Sequence, residues 1–180
     1  MVYCCENFTA FFLPGFRTEE ELCVKVKNCL TKDVVILSPE DGIQKAASAF
    51  ISNKIWAAPV LDTKRRVVGI LSITDILNTF SPDFLPMLSN VDFIKDYGAL
   101  DISAKDVRDL AKLKVADVMT KNVVTIDQEG DLVAAISLMK KHGFHTLPVI
   151  ENGRLVGMVS NIDICRRFLE VWEGKTKGEE

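Results

Sequence analysis

Val26-Lys-Asn-Cys-Leu-Thr-Lys-Asp-Val-Val35 and Val115-Ala-Asp-Val-Met-Thr-Lys-Asn-Val-Val124 share the frame Val-x-x-x-x-Thr-Lys-x-Val-Val. The two stretches are 89 residues apart, and that offset runs without a gap to Pro59-Val60 and Pro148-Val149. One residue is then lost where Asp62-Thr-Lys-Arg-Arg66 faces Glu151-Asn-Gly-Arg154. Beyond it the offset is 88, aligning Gly69-Ile-Leu-Ser-Ile-Thr-Asp75 with Gly157-Met-Val-Ser-Asn-Ile-Asp163. A single slip, placed where a hairpin loop absorbs it, is the mark of a duplicated structural unit.

Each copy reads as the same string of elements. The β-branched runs Val34-Val-Ile36 and Val123-Val-Thr125 predict a short strand. In the first copy Ser38-Pro39-Glu-Asp41 predicts a helix start, with Ser38 as cap and proline in the first turn. Ile43, Ala46, Ala47, Phe50 and Ile51 fall at helical spacing, as do Leu132, Ala135, Ile136 and Met139. Two further strands are expected around 58–61 with 67–71, and 147–150 with 155–159, before a final helix that runs from Ser72 or Ser160. Asn152-Gly153 is the two-residue hairpin signal. The fold class is therefore α/β: two tandem β-α-β-β-α repeats. Three short strands and two helices bury too little alone, so the copies are expected to pack about a pseudo-twofold axis.

Bulk properties set the class. The 180 residues are 48% hydrophobic and 26% charged, with a formal net charge of −3, ordinary values for a globular domain. Lysines and arginines are scattered, which argues against a nucleic-acid or anionic-membrane footprint. No stretch approaches the run of about 18 apolar residues that a spanning helix needs. The five cysteines (Cys4, Cys5, Cys23, Cys29 and Cys165) are odd in number, and no export signal accompanies them. A reducing, cytoplasmic setting is expected. Adjacent Cys4 and Cys5 bridge only with strain and lack a regular ligand spacing, so no metal is assigned.

The boundaries read as an N-terminal segment 1–23, a first repeat 24–80, a helical linker 81–112, a second repeat 113–172 and a polar tail 173–180. The N-terminal segment holds Phe8, Phe11, Phe12 and Phe16. In the linker, Ser81-Pro82 and Ser103 with Asp106 read as helix starts.

The sharpest chemical features are Ser72-x-x-Asp75 and Ser160-x-x-Asp163 at strand-to-helix junctions. Ser-x-x-Asp is a capping box, which is reason enough for it to occur. An aspartate at a cleft edge also accepts hydrogen bonds from two vicinal hydroxyls, as a ribose offers, and nearby helix N-termini favour phosphate. Both readings stand at this point.

The Thr-x-x-Val-Val frame, the Leu-Pro-Val-type strand and Gly-h-h-Ser-x-x-Asp (h apolar) together resemble the cystathionine beta-synthase (CBS) domain, of which a tandem pair forms a Bateman module. The resemblance covers about residues 24–80 and 113–172. It implies inter-repeat clefts that often bind adenosine-containing ligands (AMP, ADP, ATP or S-adenosylmethionine) and frequent dimerisation; it does not imply catalysis. Carried over residue by residue, it implies that Asp75 holds a ribose, with Ser72 and Thr74 near ribose or phosphate. In the second copy Ser160 and Asp163 match, but Ile162 replaces the polar residue before the aspartate, which ranks that site lower. The implied adenine pocket draws on Ile36, Ser38, Ala46, Val67 and Ile70, and on Thr125, Asp127, Ala135 and Met158. His145 matches a position where some members place a phosphate-facing basic residue, whereas the first copy has Trp56 there. A plain strand-start role for His145 is the alternative.

His142-x-x-His145, interrupted by Gly143, makes a poor metal site. Lys64-Arg65-Arg66 reads as a solvated hairpin rather than a phosphate clamp. An enzyme is the rival class, yet neither a nucleophile triad nor a glycine-rich phosphate loop is present as a motif. An interaction protein with vestigial nucleotide sites is the third. The expected reading is a regulatory sensor: a homodimer with an adenine nucleotide ligand and a regulated protein partner, without cofactor, nucleic acid or membrane.

Overall fold

The computed structural model describes residues 25–79, 108 and 111–173. The N-terminal phenylalanines, Cys4, Cys5, Cys23 and nearly all of the 81–112 linker lie outside them. The first copy contributes α1 (Ile43–Asn53), β1 (Ala57–Leu61), β2 (Val67–Ser72) and α2 (Ile73–Asn78), after a 3-10 turn at Val26–Asn28. The second copy contributes α3 (Val115–Val118), β3 (Ile126–Asp127), α4 (Leu132–His142), β4 (Thr146–Glu151), β5 (Arg154–Ser160) and α5 (Asn161–Trp172).

Local chemistry explains most of these boundaries. α4 stops at Gly143 in the left-handed region, φ 70°, the usual residue for that cap. β1 and β2 pair antiparallel, as do β4 and β5, and both hairpins shift register at the same place, after Val60 and after Val149. Asn152 and Gly153 have φ 49° and 76°, the positive angles a two-residue hairpin of right-handed twist requires. The longer first turn is built on Asp62, whose Oδ1 accepts the backbone N–H groups of Lys64 and Arg66, both at 2.9 Å.

Two local expectations change. The first strand is not at 34–36 or 123–125. It is a single parallel bridge from Leu37 to Val60 in one copy, and β3, paired parallel with β4, in the other. Ser38 does not cap α1; Gly42 occupies that position, without a side-chain bond. Instead the Ser38 N–H donates to Asp41 Oδ2 at 2.8 Å, closing a turn before the helix. Its carbonyls are then used elsewhere: Asp41 O accepts from Val115 N at 2.8 Å and Pro39 O from Ala116 N at 3.0 Å.

Those bonds reveal how the repeats interlock. One core joins Leu37, Ile43, Ala46, Phe50, Ala58, Val60, Leu71 and Ile76 with Val115. The other joins their counterparts Ile126, Leu132, Ala135, Met139, Leu147, Val149, Val159 and Ile164 with Val26. Each core thus completes itself with the opening segment of the other copy. The backbone bonds obey the same exchange. Val26 N and Lys27 N donate to Gly130 O and Gln128 O at 2.9 Å, the equivalents of the Val115 and Ala116 bonds. Thr31 pairs with Met158, and Thr120 with Ile70. Val26 and Val115 are fully buried, so removing either segment strips apolar surface from a core it does not belong to by sequence.

Candidate functional site

Both Ser-x-x-Asp motifs form complete capping boxes. Ser72 Oγ accepts from Asp75 N at 3.1 Å, while Asp75 Oδ2 accepts from Ser72 N at 2.7 Å and Ser72 Oγ at 2.6 Å. At the second junction Asp163 Oδ2 accepts from Ser160 N at 2.9 Å and Ser160 Oγ at 2.5 Å. One oxygen of each carboxylate is thereby spent on the helix, and the other faces the exchanged segment. Thr120 Oγ1 lies 3.5 Å from Asp75 Oδ1, and Thr31 Oγ1 lies 3.3 Å from Asp163 Oδ1. Thr31 and Thr120 are repeat equivalents, so each junction is a composite of both copies.

The glycine that opens each motif makes this approach feasible. A Cβ at Gly69 would stand 2.3 Å from Met119 Sδ, and one at Gly157 would stand 2.5 Å from Leu30 Cδ1 and 2.6 Å from the Thr31 carbonyl oxygen. Absence of a side chain lets the exchanged segment lie against the strand.

The two junctions differ at the free oxygen. Asp163 Oδ1 also accepts from Arg166 at 3.0 Å, and the Asp163 side chain is only 8% exposed. The repeat equivalent of Arg166 is Asn78. For Asp75 Oδ1 the long Thr120 contact is the one hydrogen bond found among the described residues. Thr74 and Ile162, the pair on which sequence ranked the sites, are both exposed.

His145 stands beside the start of α5: its carbonyl accepts from Asn161 N at 3.0 Å, and its ring Nδ1 is 3.2 Å from Asn161 Nδ2. Trp56 occupies the same place over α2, its carbonyl accepting from Ile73 N at 2.9 Å. His142 does not pair with His145; its ring stacks on Phe144 at 5.3 Å. The remaining predicted site residues separate into groups. Ile70 and Met158 lie at the junctions through backbone pairing with Thr120 and Thr31. Ala46 and Ala135 are fully buried in the two cores. Ile36, Ser38 and Val67 sit at the Leu61 end of the first hairpin, since Leu61 pairs with Val67 and Ala57 with Ser72. That end is about 17 Å along β2 from Ser72, the cap that holds Asp75, at roughly 3.3 Å per residue. Thr125 is half-buried, and Asp127 is exposed with its carboxylate accepting from Glu129 N at 2.9 Å. Thr31, Thr120 and Arg166 were absent from the sequence-derived site. The signals for them were the shared Thr-Lys frame and the Asp163-x-x-Arg166 spacing on a helix.

Burial raises the pKa of Cys29, which packs against the second core, to about 11; Asp163 and Glu170 add to the rise and Arg167 opposes it.

Two interlocked βαββα units with a capped aspartate at each composite junction define a tandem-repeat α/β module. The CBS domain profile matches residues 26–81 and 115–170. The chain belongs to the CBS domain family. The protein MJ1426 of Methanocaldococcus jannaschii is 32% identical over 153 residues, 80% of this chain and 90% of its own. Among solved structures, the CBS domain pair of protein MJ0100 in complex with 5-methylthioadenosine and S-adenosyl-L-methionine has a TM-score of 0.62 at 23% identity, covering 86% of this chain and 99% of that one. CBSX2 in complex with AMP has a TM-score of 0.62 at 21% identity, covering 82% and 97%. At these identities the two structures speak to the fold. Among the described residues, no helix is long and apolar enough to cross a membrane.

Proposed function

We propose that this CBS pair is a regulatory sensor that binds an adenosine-containing ligand at the composite junctions, with Asp75 as the principal ribose acceptor. The observation that carries the reading is the division of labour within the Asp75 carboxylate. Oδ2 is fixed by two short bonds from Ser72, and among the described residues Oδ1 has only a 3.5 Å contact with Thr120. A carboxylate oriented by its cap and left with an open acceptor is preorganised for a vicinal diol. At Asp163 the same oxygen is engaged by Arg166 at 3.0 Å, so a ribose there has to displace an ion pair. The fold shared with CBS pairs bearing AMP, or 5-methylthioadenosine with S-adenosyl-L-methionine, supports an adenosine ligand. His145, beside the α5 N-terminus, is the proposed phosphate-side contact of the second junction.

Self-association is part of this proposal. Ala46 and Phe50 are consumed by the core, whereas Ile51, Leu77, Leu169 and Trp172 are exposed. Exposed apolar surface of this kind supports a homodimer interface on the helices. The odd cysteine number supports a cytoplasmic setting.

Calorimetric titration of the ligand-free protein with AMP, ADP, ATP, S-adenosylmethionine and NAD tests the reading, with each compound recovered and checked by chromatography. Saturable binding of an adenosine compound that is returned unaltered is the expected outcome. Turnover would make the protein an enzyme, and binding of none would leave the interaction-module reading.

A further inference from the structure

The two hairpin turns converge at the end of the sheets remote from both aspartates. Between them lies a hollow of about 250 Å³, lined by Ile36, Leu61, Lys64, Arg65, Arg154 and Leu155. Three of its six lining residues are cations and none is an acid. Among the described residues, Lys64, Arg65 and Arg154 form no ion pair, whereas neighbouring Arg66 is held by Asp62 at 2.7 Å. A second hollow of about 390 Å³ shares Ile36, Leu61 and Arg65, and adds the hydroxyl residues Ser38 and Thr63 together with Lys45 and with Asp41 and Asp62, whose carboxylates are engaged by Lys45 and Arg66.

Arg65 is costly where it stands. Its φ is 62°, in the left-handed region that disfavours residues with a long side chain. The second hairpin meets the same need with Asn152 and Gly153. The turn itself is closed by Asp62 and backbone amides, so arginine adds nothing to its closure. What arginine adds is a guanidinium beside Lys64 and, across the repeat boundary, Arg154. Strain held at a concave cationic spot marks a site rather than a solvated loop.

We propose that this hollow binds the phosphate monoester of a small polyol, as a site separate from the two aspartate junctions. The guanidinium forks of Arg65 and Arg154 and the Lys64 ammonium suit a phosphate. Ser38 and Thr63 offer hydroxyl partners for the polyol, and Ile36, Leu61 and Leu155 a floor for its carbon skeleton. Both turns contribute, so an occupied hollow joins the two repeats at this end.

Ribose 5-phosphate is the probe, titrated into the full chain by calorimetry at low salt and followed in parallel by phosphorus NMR. Wild type is expected to bind it, and Arg65→Gly and Arg154→Ala each to weaken binding about tenfold or more. Glycine adopts positive φ freely, so Arg65→Gly should melt no lower than wild type, which separates lost binding from lost fold. Arg65→Gly should leave AMP affinity unchanged, keeping this test apart from that of the adenosine reading. The proposal is overturned if wild type shows no binding at about 10 mM, or if Arg65→Gly binds as well as wild type.

Discussion

Replacing Gly157 by alanine probes the segment exchange on which the whole arrangement rests. Gly69 and Gly157 are repeat equivalents, and neither has a positive φ, so alanine is conformationally acceptable at both. By itself that change gains about 0.4–1 kcal/mol through the unfolded chain. Opposing it is the contact each new methyl would make. At position 69 the neighbour is the Met119 thioether, 2.3 Å away, part of a flexible side chain that can turn aside. At position 157 the methyl meets Leu30 Cδ1 at 2.5 Å and the Thr31 carbonyl oxygen at 2.6 Å. That carbonyl is backbone, and it accepts from Met158 N at 3.0 Å. To restore an ordinary 3.4 Å contact it would retreat by about 0.8 Å, breaking the bridge that seats the exchanged strand. Overpacking costs about 1–3 kcal/mol, and the rigid case belongs at the upper end. Net destabilisation should be about 2 kcal/mol for Gly157→Ala and at most about 1 kcal/mol for Gly69→Ala. For a chain of this size 2 kcal/mol lowers the melting temperature by roughly 4–8 °C. Urea unfolding and calorimetric melting measure both. If Gly157→Ala is as stable as wild type, or Gly69→Ala is the more damaged, the exchanged segment does not lie where the argument needs it.

Four other outcomes follow from the same geometry. Arg166→Asn copies Asn78 into the second copy and releases Asp163 Oδ1; adenosine-ligand affinity at that junction should rise about tenfold, read as a second calorimetric site, and an unchanged isotherm would count against the blocking role of Arg166. Cys29, its thiol pushed to about 11 by burial, should resist alkylation at pH 8 while exposed Cys165 reacts, as peptide mapping would show. The sign of the linkage is that of a raised pKa: the folded state favours the neutral Cys29 thiol, so its stabilising contribution is full below pH 9.0 and lost as pH rises towards 11. A Cys29→Ser variant whose stability falls just as steeply over that interval would refute it. Ser160→Ala removes a cap and should cost about 1 kcal/mol, with a loss of α5 helicity by circular dichroism; no change in either would place the Asp163 carboxylate under other control.

Much of the fold was legible because duplication repeats its physics. The 89-residue and 88-residue offsets placed corresponding helices, hairpins and capping boxes, and Asn152-Gly153 formed the turn its backbone angles favour. The exchange was not legible. Val26 and Val115 are the same residue type at equivalent positions, so either would complete either core, and the choice is made by chain geometry between the copies. Ser38 illustrates a second limit. Ser-Pro-Glu-Asp fits a helix cap and a closed turn alike, and the Asp41 carboxylate decided in favour of the turn, with Ser38 five residues before the helix begins at Ile43. At the junctions the serines and aspartates were readable from spacing alone. Their partners Thr31 and Thr120 were visible only as part of a repeated frame, because a contact between residues 132 apart, as Thr31 and Asp163 are, leaves no local pattern. The turn at Lys64-Arg65-Arg66 looked like a charge run, and its concavity appears only when Arg154 is brought across from the other hairpin.

The central claim is that Asp75 is the working ribose acceptor. Its most direct test is calorimetry of AMP and S-adenosylmethionine binding to wild type, Asp75→Asn and Asp163→Asn, because asparagine keeps the size and part of the capping capacity of aspartate. Removing the partner of a buried ligand hydroxyl costs about 1–3 kcal/mol, so Asp75→Asn should weaken the tighter-binding ligand about five- to hundredfold, with Asp163→Asn changing it less. Wild-type affinity in Asp75→Asn together with lost binding in Asp163→Asn would contradict the account.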